Sequence, residues 1–200
     1  MISWDQYYMS MVYLAAMKSK DDSSWIGAVI VGPEKEIRSI GYNGLPRGVE
    51  DDIYTEVLEY DDQRKKFKRY HEIKEDLKKR HERPEKYFWY EHGERNAIYN
   101  AANMGISTKG CIMYTQGTPC TNCARAIIQS GIKEVVVHKQ YEDQSEHQAK
   151  VGGSELKWRE EAERSSIMFN EAKVRLRVYD GPVIVHLKNK SAGEFILLNE

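Results

Sequence analysis

The chain has 200 residues, 40% of them hydrophobic and 30% charged, with 30 Lys plus Arg against 31 Asp plus Glu. That composition suits one folded domain and excludes a disordered chain. The net charge of −1 at pH 7 argues against a nucleic-acid backbone as the main partner, which calls for a basic face.

No apolar run approaches the ~20 residues of a membrane span. The opening "MISWDQYYMS" lacks the basic-then-apolar pattern of a secretory signal, so a cytoplasmic protein is expected. Three cysteines in such a chain do not make a disulfide framework.

A helix is predicted over 3–18: Ser3 and Gln6 have capping-box spacing, Ile2 is placed to staple onto Tyr7, and Tyr8, Met11, Val12 and Ala15 form an apolar stripe. "WIGAVIV" (25–31) and "EIRSIGYN" (36–43) read as strands joined by the hairpin-like "GPEK", and "GLPRG" (44–48) as a loop. Residues 50–86 are dense in charge, with Phe67, Tyr70, Ile73 and Leu77 at roughly helical spacing. They predict a solvated helical insertion, a hairpin or one long helix, closed by Arg83-Pro84.

The remainder alternates. A helix over about 92–104 stops at Gly105, "GCIMYT" (110–115) is a strand, and a helix over 119–131 has Pro119 near its first position and Gly131 after its end. "EVVVH" (134–138) is a strand, Ser154 is placed to cap a helix over about 155–171, and "VRLRVY" (174–179) is a strand. "VIVHL" (183–187) is a further edge strand or a tail. Strand–helix–strand–helix–strand over 110–179 implies right-handed crossovers and parallel pairing. With the antiparallel opening hairpin this gives an α/β domain over 1–200: a mixed five-stranded sheet with helices on both faces and a charged helical insertion at about 50–86.

The chemistry gathers at two helix starts. Cys120 and Cys123 are three apart on a first turn, so their sulfurs share a face, where free N–H groups and the helix dipole favour thiolate. His92 opens another helix. One imidazole and two thiolates, with a fourth position open, make a catalytic zinc site rather than a structural one. Glu94, two residues from His92, can reach the open position and move a proton for a water whose pKa zinc lowers to about 7.

His-x-Glu at 92–94 followed by Pro-Cys-x-x-Cys at 119–123 has the zinc nucleobase-deaminase pattern. Two alternatives compete: a redox Cys-x-x-Cys with an incidental His92, and a structural zinc with a fourth ligand. Cys111 is the spare cysteine for the latter, but it reads as a small buried apolar residue.

At "KSKDDSSWIGAVIV" with "GYNGLPRG", "EHGERNAI" and "PCTNCARAIIQSGIKEVVV", the sequence resembles the cytidine and deoxycytidylate deaminase superfamily, and more narrowly its deoxycytidylate (dCMP) branch. The resemblance covers about residues 5–141 and implies a cytidine-deaminase-like three-layer fold. It also implies hydrolytic deamination of dCMP to dUMP. Zinc-bound hydroxide would attack cytosine C4, and Glu94 would deliver protons to N3 and to the departing amino group. By the same resemblance Asn43 bonds the sugar 3′-hydroxyl and Tyr141 lies near the substrate.

The family's homohexamers, activated by dCTP and inhibited by dTTP, each with Mg²⁺, imply an effector region at Gly41, Tyr42, Asn43 and Gly44. Lys18, Ser19, Lys20 and Arg47 are candidate phosphate contacts there. Two departures stand out. Gly93 replaces a commoner Ala and could make room for a different substrate pose. Lys173 stands where the family has Gly, and a positive φ there would strain it. His71 and His81 read as surface residues.

The alternatives are deamination of dCTP as well as dCMP, a tRNA or DNA base deaminase, and a catalytically silent zinc scaffold. The low net charge disfavours the second, and the presence of Glu94 the third.

Overall fold

The computed structural model describes residues 1–21, 23–61, 66–143, 155–184, 188–189 and 193–194. By Cα proximity the chain divides into two compact units, 1–44 with 92–200, and 45–91.

The first unit holds the sheet. Helix α1 (Trp4–Ala16) starts at Ser3, whose side chain accepts the Gln6 N–H at 3.1 Å. Strands β1 (Gly27–Val31) and β2 (Ile37–Tyr42) form the antiparallel hairpin. Helix α4 (Gly93–Asn103), strand β5 (Ile112–Thr115), helix α5 (Thr121–Gln129), strand β6 (Glu134–His138), helix α6 (Glu155–Glu171) and strand β7 (Arg175–Tyr179) follow. The order across the sheet is β2-β1-β5-β6-β7; β1 is antiparallel to β5, and β5, β6 and β7 are mutually parallel. The mixed five-stranded sheet is as expected.

Alternation along the strands divides the core. Val29, Val31, Tyr114 and Val136 pack with Tyr8, Met9, Val12, Tyr13 and Ala16 of α1 on one face. Ala28, Ile30, Met113, Val135 and Val137 pack on the other with Ala97 of α4, Ala124 and Ile127 of α5, and Phe169 of α6. Strands β1 and β6 are buried throughout, which is why β1 and the centre of β6 (135–137) read as apolar runs, with Glu134 and His138 buried at the ends of β6. After β7, Val183 joins the α1 face and the Ile184 N–H donates to Ser10 Oγ at 3.0 Å. The rest of the expected 183–187 strand, and the Ser154 cap, lie outside the described residues.

Three helices end alike. Ile106 N–H bonds Ala101 O, Ile132 N–H bonds Ile127 O, and Val174 N–H bonds Phe169 O, each spanning a residue with left-handed backbone: Gly105, Gly131 and Lys173, at φ 68°, 75° and 59°. Lys173 therefore does occupy the position in which a side chain is strained.

The second unit corrects the helical insertion. Its first half is a two-stranded antiparallel hairpin, β3 (Tyr54–Asp61) with β4 (Lys66–Ile73), followed by short helices α2 (Glu75–Lys79) and α3 (Lys86–Trp89). The register shows why the spacing misled. Tyr54, Val57 and Tyr60 are Cα partners of Ile73, Tyr70 and Phe67, so a spacing of three recurs on both strands and matches apolar to apolar. Glu59 and Asp61 are the Cα partners of Lys68 and Lys66, so acidic positions register against basic ones. Within this unit the Arg80 guanidinium lies 4.3 Å over the Trp89 ring and His81 Nδ1 is 2.7 Å from Tyr90 Oη.

Candidate metal centre and its surroundings

His92 and Cys120 are the N-cap residues of α4 and α5, both with extended backbone and neither with a side-chain cap bond. Cys123 is the third residue of α5. His92 Nδ1 lies 3.6 Å from Cys120 Sγ and 3.5 Å from Cys123 Sγ. Tetrahedral zinc with Zn–S of ~2.3 Å and Zn–N of ~2.0–2.1 Å sets N and S about 3.6 Å apart, so the three side chains already stand at ligand spacing. Among the described residues no fourth His, Cys, Asp or Glu joins them. Cys111 is fully buried, with its Sγ 3.9 Å from Ser107 O. Among the described residues the cluster therefore has three candidate ligands.

The electrostatics fit a cation. Hydrogen bonds from Cys123 and His92 push the Cys120 thiol down to about 3, while its bond to Cys120 and burial push Cys123 up. The Cys120 sulfur thus favours thiolate, the form a metal cation binds. The hydrogen bond to Cys120 also raises His92. Arg95 Nη1 sits 3.5 Å from Cys123 Sγ.

Glu94 is 4% exposed, and its Oε2 is buried without a hydrogen-bond partner. Burial, the largest influence, holds its carboxyl above the usual range. A carboxylate oxygen buried without a partner is costly unless a ligand completes it.

Asn43 is bonded at both ends of its amide. Its Oδ1 accepts the Ile26 N–H at 2.8 Å, and its Nδ2 donates to Ser24 O at 2.9 Å and to Asp21 Oδ2 at 3.3 Å. Asp21, 4% exposed, also accepts from Ser23 N–H and Oγ through Oδ1 at 2.7 and 2.8 Å. Tyr141 has a raised phenol, through burial first and then the charges of Glu142, Glu94 and Asp21. Asn43, Asp21, Tyr141 and Glu94 are thus joined by bonds or by charge.

The expected effector positions divide. Lys18, Lys20, Tyr42 and Arg47 are exposed, whereas Ser19 and Gly41 are buried. Ser19 Oγ accepts the Asp21 N–H at 3.1 Å. A Cβ at Gly41 would lie 2.2 Å from Ala97 N, so this glycine lets α4 rest on β2. At Gly93 a Cβ would lie 2.8 Å from Ile26 O, so the missing methyl admits strand backbone rather than substrate.

Sequence reasoning missed Asp21, Gln116 and Glu161. Asp-x-Ser-Ser is an Asx-turn pattern that could have found Asp21. Gln116, whose Oε1 accepts Gly27 N–H at 2.6 Å and whose Nε2 donates to Trp25 O at 2.9 Å, gave no local signal. Nor did Glu161, whose Oε2 accepts from Thr121 N–H and Oγ1 at 2.9 and 2.8 Å across 40 residues.

Among the described residues no helix is long and apolar enough to cross a membrane. The family described as the cytidine and deoxycytidylate deaminase zinc-binding region matches residues 2–139. Mouse (Mus musculus) deoxycytidylate deaminase is 39% identical over 146 residues, spanning 72% of this chain and 70% of that protein. The human (Homo sapiens) deoxycytidylate deaminase is 35% identical over 179 residues, 89% and 80% of the two chains. A dCMP deaminase from cyanophage S-TIM5, solved in complex with dCMP and dUMP, shares the fold at TM-score 0.51 and 18% identity, over 86% of this chain and 94% of its own. A family match spanning both zinc motifs, with relatives aligned over most of their length, makes this chain a member of the cytidine and deoxycytidylate deaminase family.

Proposed function

We propose that the chain deaminates dCMP to dUMP by hydrolysis. The observation that carries the reading is the buried, unpartnered Oε2 of Glu94 beside three side chains at zinc-ligand spacing. His92, Cys120 and Cys123 would hold zinc, which supplies there the Lewis acidity that makes water a nucleophile near neutral pH. Glu94 would carry both protons of the attacking water in turn, the first to cytosine N3 and the second, from the hydroxyl then on C4, to the departing amino group, so C4 loses ammonia and gains oxygen. Its burial supports the role, since desolvation makes the carboxyl hold a proton more readily than an ordinary carboxylate.

Asn43 Oδ1 receives the sugar 3′-hydroxyl as a second donor, because both Nδ2 hydrogens are committed to Ser24 and Asp21. Tyr141, within reach of the charges of Glu94 and Asp21, lies near the substrate. The whole of 1–200 acts as one catalytic domain carrying the 45–91 unit as an insertion, in a cytoplasmic homohexamer. Exposed Lys18 and Lys20, flanking Ser19 at the end of α1, support phosphate contacts for dCTP and dTTP with Mg²⁺. Gly41 and Ser19 would shape that region rather than touch an effector.

Loss of cytosine absorbance separates the readings when followed with dCMP, dCTP and a single-stranded oligonucleotide, each with and without dTTP. Turnover of dCMP, lowered by dTTP, is expected. Preference for dCTP or for the oligonucleotide would replace this reading with the corresponding alternative. A sigmoidal dCMP curve made hyperbolic by dCTP and Mg²⁺ is expected for the effector site, and a hyperbola indifferent to both would remove it.

A further inference from the structure

The metal ligands leave a gap in helix α5. An N-cap residue ordinarily turns a side-chain oxygen back onto the free N–H groups of the first turn, and Ser, Thr, Asp and Asn are preferred there for that reason. Here the N-cap is Cys120, which makes no such bond and whose sulfur faces His92 instead. The N–H of Thr121, another first-turn donor with no partner within its own helix, is bonded from a neighbouring helix. Glu161, half-buried on α6, accepts it at 2.9 Å, and the same Oε2 accepts the Thr121 hydroxyl at 2.8 Å.

We infer that Glu161 is a positioning residue for the metal centre, holding the first residue of α5 from a neighbouring helix and so fixing the chain next to Cys120. Two bonds converging on one carboxylate oxygen fix Thr121, the residue directly after Cys120, in place. They also put a negative charge at the positive end of the α5 dipole. On the other side of Cys120, a Glu142 oxygen accepts the Thr118 N–H. The ligand loop is thus tied down on both flanks by carboxylates distant in sequence. Partners of this kind set metal affinity through ligand geometry rather than by touching the metal.

The inference rests on the metal reading of the site, and its test does not use activity. Zinc affinity is measured by chelator competition on the folded full chain, alongside the thiolate-to-metal absorption of the cobalt-substituted protein. Glu161→Ala is expected to bind zinc about 10–100-fold more weakly, with an altered cobalt spectrum. Glu161→Gln, which keeps an acceptor oxygen, is expected within about 3-fold of wild type, on the same scale.

Wild-type affinity in Glu161→Ala would overturn the inference, and so would equal losses in Gln and Ala, which would make charge alone the cause. A wild-type protein that binds no zinc would instead refute the metal reading itself. Should Glu161→Ala fail to fold, Thr121→Val removes one of the two bonds. It should weaken zinc in the same direction, and unchanged affinity there would also overturn the inference.

Discussion

His92 and Cys120 hold equivalent places in two helices: each is an N-cap with extended backbone, each withholds its side chain from capping, and Nδ1 and Sγ stand 3.6 Å apart. Two helix starts on the same sheet face therefore supply the proposed ligands from positions where a chain more often spends a hydroxyl or carboxylate on itself. Cys120→Ala should lose zinc, because the two remaining ligands cannot fix the metal. Full occupancy by elemental analysis would contradict the ligand assignment.

Gly93 lies between His92 and Glu94, and a Cβ there would press on Ile26 O at 2.8 Å. Because that neighbour is backbone, α4 must move to admit a methyl. Gly93→Ala should therefore lose about 1–2 kcal/mol of stability to overpacking, more than its small helix-propensity gain near a first turn. Urea denaturation checks it, and a variant as stable as wild type would show that the helix start has room.

Lys173, at φ 59°, makes the helix end that Gly105 and Gly131 make elsewhere. Lys173→Gly should raise stability by about 0.5–1 kcal/mol, the relief of left-handed strain exceeding the entropy of the added glycine. A lower urea midpoint would mean that the lysine side chain contributes more than its backbone costs.

His138 is buried on β6. Its Nε2 is 2.9 Å from Gly181 O, an acceptor, so Nε2 carries the proton, and the neutral ring's Nδ1 accepts from Tyr13 Oη at 2.7 Å. Tyr179 stacks on the ring, and the Asp180 charge faces it. Burial, outweighing Gly181 and Asp180, lowers its pKa below 6.5. The folded state thus binds this proton less readily than the unfolded one. The stability is present above the unfolded pKa and is lost as pH falls through the lowered folded value. Between pH 7.5 and 5, wild type should lose more stability than His138→Gln; parallel losses would contradict the neutral buried ring.

Much of this was legible in the sequence, because the motifs are local. His92, Glu94, Cys120 and Cys123 lie within a turn of helix starts marked by their own neighbours, and the strand and helix periods of 110–179 fix the parallel half of the sheet. What stayed hidden was non-local. The β3–β4 hairpin shares a three-residue apolar spacing with a helix, and only its register tells them apart. Gly93 answers to Ile26, 67 positions earlier, and Glu161 to Thr121 on another helix. Such contacts leave no periodic trace.

The central claim is that Glu94 moves the proton while the other three hold the metal. The most direct measurement is dCMP turnover by Glu94→Gln with its zinc content confirmed. The variant should keep one zinc per chain and lose at least ~100-fold in turnover, the scale of a positioned acid–base group. Undiminished turnover in the zinc-loaded variant would contradict it.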